Sequence, residues 1–308
     1  MKILYIGTNV NNPPNEPLVD YQNDCLLIGL KEHFGDDVVD VQKRHHIYKD
    51  FPVDEALKQY GKGFTVTRVI ESDNADRTDI EKKIKTKFFD LVIYGSIWRN
   101  SDHLDLVLEH YPKNQVIMVD GEDTTKFHNL IKMETLYLKR EIQWEDNREF
   151  EKYFGNVAPI SFAFPTQKIN APLPKTQKDA INDPRKPNSY IFNDETSYYE
   201  DYRKSKFAFT MRKAGWDCLR HYEIMGNGCI PLFDQMAACP RFIMTRFPKA
   251  LLSKIAFFHK NDYKYLEQNY DYFLSELTDH FMKYNTTDAL VKYLMKDLSR
   301  YKVYKGQQ

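Results

Sequence analysis

Short apolar runs alternate with amphipathic segments through the first part of the chain. Buried strands are predicted by apolar or β-branched runs at 2–7, 38–42, 64–70, 90–96 and 115–123. Amphipathic helices are predicted at 21–35, 79–88 and 103–111. The first of these helices closes on Gly35, a residue typical of helix C-termini. Strands separated by helices predict βαβ units and a mostly parallel sheet with helices on both faces.

A polar stretch with five prolines, 165–188, interrupts this alternation and predicts a linker. Beyond it, strands are predicted at 206–211 and 229–233, and helices late in 189–205, at 216–226 and from Tyr263 onward. The chain is therefore predicted to form two α/β units, 1–165 and 166–308, with a helical C-terminus. The apolar segment 157–164 fits either the last strand of the first unit or the first strand of the second.

Ligands of parallel α/β sheets bind outside the carboxyl ends of the strands. In the first unit this rule places 7–11, 95–98 and 120–123 on one rim of the sheet. Two such units facing each other across a linker would enclose a cleft, and a ligand is expected there.

Composition narrows the class of protein. Hydrophobic residues make up 42% and charged residues 29% of the 308 residues, which indicates a folded globular chain. No apolar run approaches the roughly 20 residues of a membrane span, and the N-terminus lacks a signal-peptide layout, so a soluble cytoplasmic protein is expected. The four cysteines form no CxxC pair, so neither a disulfide framework nor a zinc site is indicated.

Charge is distributed unequally although its sum is zero. Residues 1–165 hold 21 Lys and Arg against 28 Asp and Glu, whereas residues 166–308 hold 23 against 16. The excess of seven positive charges in the second unit favours an anionic ligand there, unless charge simply varies between units.

The segment 215–233 carries the clearest candidate chemistry. Trp216, Arg220 and Glu223 are spaced to share one face of the predicted helix. Arg212 and Lys213 precede the helix and follow a strand, a position suited to phosphate oxygens. A carboxylate such as Glu223 accepts two hydroxyl hydrogen bonds, which suits a ribose diol. The alternative is an Arg220–Glu223 pair that only ties the helix together.

Three short motifs extend this segment: Ser205-Lys206-Phe207, Arg220-His221-Tyr222-Glu223 and Gly228-Cys229-Ile230-Pro231. Over about 30 residues they resemble the C-terminal signature of glycosyltransferases with the GT-B fold, closest to exostosin-like and CgeB-like members. The resemblance implies two Rossmann-like domains facing across a cleft. The first domain would bind the acceptor, and the second would bind a nucleotide-sugar donor, with a UDP-sugar first among the candidates and no further cofactor.

The resemblance also implies roles for individual residues. Glu223 would bind the donor ribose, Arg220 and Arg212 the diphosphate, with Lys213 a weaker candidate, and Gly228 would form the turn beside the donor. From the first unit, Lys139 and Arg140 would close on the phosphates, or else they form an exposed charged strand edge. His221 and Trp216 are interpreted as core residues more readily than as ligand contacts.

Transfer with inversion needs a general base beside the acceptor hydroxyl. The favoured candidate is Glu122 in the sequence VDGED, with Asp123 next, and Asp20 and Asp24 as rivals. Asp120 is expected to face the end of the sheet. The alternatives are an acidic metal-binding motif or a plain polar loop, but side chains and a helix end meet the diphosphate charge, so no metal is expected.

Two other functions remain open. A sugar-nucleotide epimerase of the same fold would bind the same diphosphate, and a catalytically silent protein would bind the donor without turning it over. For the acceptor, a glycan is favoured over a hydroxymethylated base of phage or viral DNA, because an acidic first unit repels a duplex.

Overall fold

The computed structural model describes residues 1–9, 19–187 and 191–306, with side chains described as far as residue 300. Residues 10 and 11 of the predicted rim and the junction at 188–190 lie outside the described residues. The architecture is α/β with two parallel sheets and a helical C-terminus, as the sequence predicts.

Six parallel strands form the first sheet, in the order β2-β1-β3-β4-β5-β6. Their bounds are β1 Ile3–Ile6, β2 Val38–Asp40, β3 Leu91–Tyr94, β4 Val116–Asp120, β5 Leu136–Lys139 and β6 Val157–Pro159. The first five strands are buried along their length, which explains their continuous apolar runs. Predicted strands 2–7, 38–42, 90–96 and 115–123 are confirmed as β1 to β4. The open segment 157–164 supplies β6, which pairs with β5 in this sheet.

The strand predicted at 64–70 is wrong. These residues form a loop in which Thr65 and Arg68 have φ angles of 77° and 57°. Among the described residues, the loop takes part in β pairing through an isolated bridge between Tyr48 and Ile70. The alternating pattern arises because Val66 and Val69 turn into the core while the backbone winds between them. Thr65, Thr67 and Ile70 are buried as well, so the loop does not separate a buried face from an exposed face as a half-buried strand would.

The second sheet has three parallel strands in the order β7-β8-β9, with bounds β7 Gln177–Asp179, β8 Ser205–Phe209 and β9 Ile230–Leu232. The strands predicted at 206–211 and 229–233 are confirmed as β8 and β9. The predicted linker is wrong in part, because it contains β7. This edge strand is polar and only partly buried, so it carries no apolar signal.

Helices surround both sheets. Their bounds are α1 Tyr21–Phe34, α2 Val53–Leu57, α3 Ile80–Lys85, α4 Leu104–His110, α5 Glu195–Lys204, α6 Leu219–Gly226, α7 Lys249–Asn261, α8 Tyr263–Gln268, α9 Tyr270–Tyr284 and α10 Thr287–Gly306. Gly35 follows α1 with φ 55°, as the sequence predicts. The predicted helix 216–226 begins only at Leu219, so Trp216 precedes it and does not share its face. Among the described residues, no helix combines the length and apolarity needed to span a membrane.

The C-terminal helix returns to the first half of the chain and packs on α1. Phe164 and Thr286 form a backbone bridge beside this contact, and the Thr287 hydroxyl donates to Glu32 at 2.6 Å. Gly29 lies where the two helices approach: a Cβ there would lie 2.6 Å from the Thr287 carbonyl oxygen and 2.9 Å from Val291 Cγ2. The crossing therefore requires a residue without a side chain.

We expect Gly29→Ala to lower the free energy of unfolding by about 1–3 kcal/mol, because the added methyl group overpacks the crossing. Helix propensity alone would raise it by roughly 0.5–1 kcal/mol. Urea unfolding of the two proteins measures the difference. A stabilised variant would contradict the close approach of α1 and α10.

Candidate functional site

A cavity of about 620 Å³ opens between residues of the first and second halves of the chain. The first half contributes Tyr21, 59–62, Phe64, Asp123 and Phe162. The second half contributes Asn182, Phe192, Tyr198, 213–215, 217–220 and Glu223. Of the residues predicted for the site, Asp123, Lys213, Arg220 and Glu223 line this cavity together.

Glu223 lies on α6 and is buried at the cavity wall. The Tyr198 hydroxyl donates to one carboxylate oxygen at 2.6 Å, and the Thr65 hydroxyl donates to the other. Burial raises the pKa of Glu223, and these two hydrogen bonds oppose the rise. The carboxylate is thus held by one hydroxyl from each half of the chain.

Two cations border the same wall. Arg220 is buried, and its Nη1 donates to the Asn182 side-chain oxygen at 3.3 Å. Lys213 lies in the loop before α6. Asn182 is itself a lining residue, and Asp201 accepts a hydrogen bond from its backbone N–H at 3.2 Å. Positive charge and a buried carboxylate therefore face the same space.

Two other residues predicted for the donor are not among those that line the cavity. Arg212 is exposed, with its guanidinium 4.9 Å from the centre of the Trp216 ring, and Trp216 stacks on Phe233. Gly228 forms the turn after α6 with φ 64°, a conformation that favours glycine. A Cβ on Gly228 would make only an ordinary contact with Pro172 at 3.4 Å, so the backbone conformation and not packing favours glycine here.

His221 is a core residue, in line with the preferred interpretation. It is fully buried, with Nδ1 2.8 Å from the Thr210 hydroxyl and Nε2 3.0 Å from the Trp216 carbonyl oxygen. Burial lowers the pKa of His221 to about 4, so the ring is neutral at pH 7. His221 therefore connects the loop before α6 to Thr210, the residue that follows β8.

Lys139 is fully buried at the carboxyl end of β5 and is not an exposed strand edge. Its ammonium lies 2.8 Å from Asp120, which also accepts a hydrogen bond from the Tyr137 hydroxyl. Burial lowers the pKa of Lys139, and Asp120 opposes the change. As expected, Asp120 faces the end of the sheet. Lys139 and Asp120 neutralise each other within the first half of the chain.

Arg140 is also buried, and it joins the two halves. Its Nε donates to the Gly121 carbonyl at 2.9 Å, its Nη1 to the Asp217 carbonyl at 2.8 Å, and its Nη2 to the Asp123 carboxylate. The guanidinium also stacks on Phe162, with 4.5 Å between its carbon and the ring centre. Arg140 therefore anchors Asp123, whose own side chain is half exposed at the cavity.

The segment around Gly215 passes close to these acidic groups. A Cβ on Gly215 would lie 2.7 Å from a Glu141 carboxylate oxygen and 2.8 Å from Asp123. Glu141 accepts a hydrogen bond from the Asp217 N–H at 2.9 Å. A side chain at 215 would therefore displace the Glu141 and Asp123 carboxylates from their present positions.

The remaining base candidates have other partners. Glu122 lies 2.9 Å from Arg99, which also contacts Asp20 at 3.2 Å. Asp20 caps α1 and accepts a hydrogen bond from the Thr8 hydroxyl at 2.6 Å. Asp24 is fully buried against Arg44 at 3.1 Å and His46 at 2.7 Å, and these partners hold the pKa of Asp24 well below its usual range. Asp123 is the candidate base that lines the cavity.

Six aromatic side chains form much of the cavity wall, and sequence reasoning missed all of them: Tyr21, Tyr60, Phe64, Phe162, Phe192 and Tyr198. Phe64 stacks on Tyr198 with 5.4 Å between ring centres. Tyr198 and Tyr202 lie one turn apart on α5, and their hydroxyls are 3.0 Å apart. The signal available was the tyrosine-rich run at 198–202. Across the described parts of the chain, no group of three or more His, Cys, Asp and Glu side chains is arranged to hold a metal ion.

Asp217 makes the stability of the folded protein depend on pH. Its carboxylate oxygens accept hydrogen bonds from the Phe162 N–H at 2.8 Å and the Tyr222 hydroxyl at 2.9 Å. Burial raises the pKa of Asp217 from 3.8 to about 7, against the opposing effect of Arg140. Between these two values the folded protein binds a proton that the unfolded chain has released, so stability falls as the pH rises through this window.

We therefore expect Asp217→Asn, which resembles the protonated form, to gain stability relative to the parent protein as the pH rises. From pH 5 to pH 8 the difference in free energy of unfolding should grow by about 2–3 kcal/mol in favour of the variant. Urea unfolding of both proteins at several pH values measures this difference. A difference that stays constant would contradict the raised pKa.

Comparison with models of protein families, with curated proteins and with solved structures finds no match to this chain. The resemblance of 205–231 to GT-B glycosyltransferases therefore stays a prediction from those residues.

Proposed function

We propose that the protein is a glycosyltransferase that moves a sugar from a nucleotide-diphosphate sugar, a UDP-sugar first among candidates, to an acceptor hydroxyl. The observation that carries the proposal is the meeting of Lys213, Arg220 and Glu223 on one wall of a cavity that Asp123 faces from the other half of the chain. Cations for a diphosphate, a carboxylate for a ribose and a candidate base are the parts that such a transfer needs.

The proposal includes a finer interpretation of the fold. The six-stranded and three-stranded sheets would be the centres of two Rossmann-like units, 1–165 and 166–308, with the donor bound mainly by the second. Support comes from the position of the cavity, whose wall draws on both halves. The net positive charge of the second half is of the sign that a diphosphate requires.

Donor binding would divide between polar and aromatic surfaces. Arg220 and Lys213 would neutralise the diphosphate, both in the ground state and as it leaves with the bonding electrons. The stacked pair of Phe64 and Tyr198 adjoins Glu223, so a base attached to the ribose would meet an aromatic surface. A metal ion is not required by this scheme.

The geometry moves the preferred base from Glu122 to Asp123. Asp123 lines the cavity, whereas Glu122 is paired with Arg99 and is not among the lining residues that the structure describes. Arg140 holds one carboxylate oxygen of Asp123, and the other would accept the proton of the acceptor hydroxyl. In an inverting transfer, Asp123 would take the acceptor proton as the new glycosidic bond forms and the bond to the diphosphate breaks.

Arg220→Ala should weaken binding of UDP by about 1.5–3 kcal/mol, the scale of a hydrogen bond to a charged group. The matched control is Arg212→Ala, which removes a nearby exposed guanidinium outside the cavity and should change the affinity by far less. Isothermal titration calorimetry with UDP measures both, and a thermal melt checks folding.

Equal affinity in the parent protein and in Arg220→Ala would remove Arg220 from the site. A thermal-shift screen of nucleotides and nucleotide sugars, done first, identifies the nucleobase of the donor. A ligand at a hundred times its dissociation constant adds about 2.7 kcal/mol of apparent stability. Release of an epimerised sugar in the absence of an acceptor would favour an epimerase instead. Binding of the donor without turnover would favour a catalytically silent binding protein.

Asp123→Asn should lower sugar transfer by roughly 10²–10⁴-fold, the usual contribution of a general base, while UDP affinity changes little. Glu122→Gln is the matched control on the adjacent residue and should transfer at near the parental rate. Release of UDP from the donor found in the screen, with a panel of glycans as acceptors, measures the rate.

The reverse result, a slow Glu122→Gln and a normal Asp123→Asn, would return the base to Glu122. Parental rates in both variants would exclude Glu122 and Asp123 as the base, and Asp20 and Asp24 would be tested next. A product with retained anomeric configuration would remove the need for either carboxylate as this base.

A further inference from the structure

The loop of residues 59–67 crosses from the first half of the chain onto the second. The Lys62 ammonium donates to the Asn193 side chain at 2.7 Å and to the Phe192 carbonyl. At the other end of the loop, the Lys168 ammonium donates to the Thr67 carbonyl at 2.9 Å. The loop is therefore fastened to the second half at Lys62 and at Thr67. Its residues 59–62 and Phe64 line the cavity, and Thr65 is fully buried behind them.

The backbone of this loop is strained at its centre. Gly61, Lys62, Gly63 and Thr65 all have positive φ, and Thr65, at 77°, is a β-branched residue for which that region is rarely populated. Such a conformation persists only where surrounding contacts outweigh its cost. Thr65 has these contacts, because its N–H donates to Glu195 and its hydroxyl lies 2.8 Å from the Tyr199 hydroxyl.

Thr65 also forms a hydrogen bond with Glu223, the carboxylate proposed to bind the ribose. Thr65 donates to Oε1 of that carboxylate, while Tyr198 donates to Oε2 at 2.6 Å. Two hydroxyl donors on the two oxygens of one carboxylate form the pattern that a ribose diol presents to a protein. The Thr65 hydroxyl therefore occupies a position on Oε1 of Glu223 that a ribose hydroxyl would use in the proposed function.

We propose that the Thr65 hydroxyl is a placeholder on Glu223, displaced by a hydroxyl of the bound nucleotide, so that occupancy of the site loosens the loop 59–67. This inference rests on the proposed function, in which Glu223 binds the ribose. Once displaced, the Thr65 hydroxyl turns to the Tyr199 oxygen, and its strained backbone is free to relax. Tyr198, on the second half, keeps its bond and holds the carboxylate in place.

Calorimetry on one substitution tests the displacement. Thr65→Val keeps the shape of the side chain but removes the competing hydroxyl, so UDP should bind about tenfold more tightly. Thr65→Ser keeps the hydroxyl and should bind UDP as the parent does. With 2′,3′-dideoxyuridine diphosphate, which has no hydroxyl to offer, Thr65→Val and the parent should bind equally. Weaker UDP binding by Thr65→Val would overturn the proposal and make Thr65 a residue that positions Glu223.

Hydrogen exchange on the unaltered protein tests the same inference without a variant that must fold. Saturating UDP should speed exchange of the amides at 65–67 by roughly tenfold or more, and the dideoxy analogue should not. Slower or unchanged exchange with UDP would overturn the inference. If UDP binds through Arg220 and neither test responds, only the placeholder fails. If no nucleotide binds at all, the proposed function fails with it.

Discussion

The buried guanidinium of Arg140 is the contact on which the shape of the site depends. The guanidinium is buried, so its N–H groups need acceptors within the protein. Gly121, Asp123 and Glu141 supply them from the first half and Asp217 from the second. Removing a partner from a buried charge costs several kcal/mol, typically 3–5. The loop before α6 is therefore held at a fixed distance from the end of β4.

The same constraint separates charges that can meet a ligand from those that cannot. Lys139 with Asp120, and Asp24 with Arg44, are buried ion pairs within the first half, and none of these residues is among those that line the cavity. Asp123 differs because half of its side chain remains exposed after it pairs with Arg140. A charge that is only partly satisfied by the protein keeps capacity for an acceptor or a phosphate.

The sequence predicted much of the fold because buried parallel strands carry their signal locally. The apolar runs of β1, β3 and β4 and the glycine after α1 need no distant information to be recognised. Prediction failed at 64–70, where contacts from the second half bury a winding loop with the spacing of a strand. It failed again at the polar edge strand β7, which has no apolar side to reveal it.

The sequence by itself determined the parallel α/β architecture. It also identified Lys213, Arg220 and Glu223 as candidate site residues, because they lie close together in one short segment of the chain. Only the tertiary structure decided that Asp123 and not Glu122 lines the cavity, and that Arg140 is buried at the junction of the halves. The reason is that the direction of a loop side chain is set by partners such as Arg99 and Asp217, which lie more than 20 residues away in the chain.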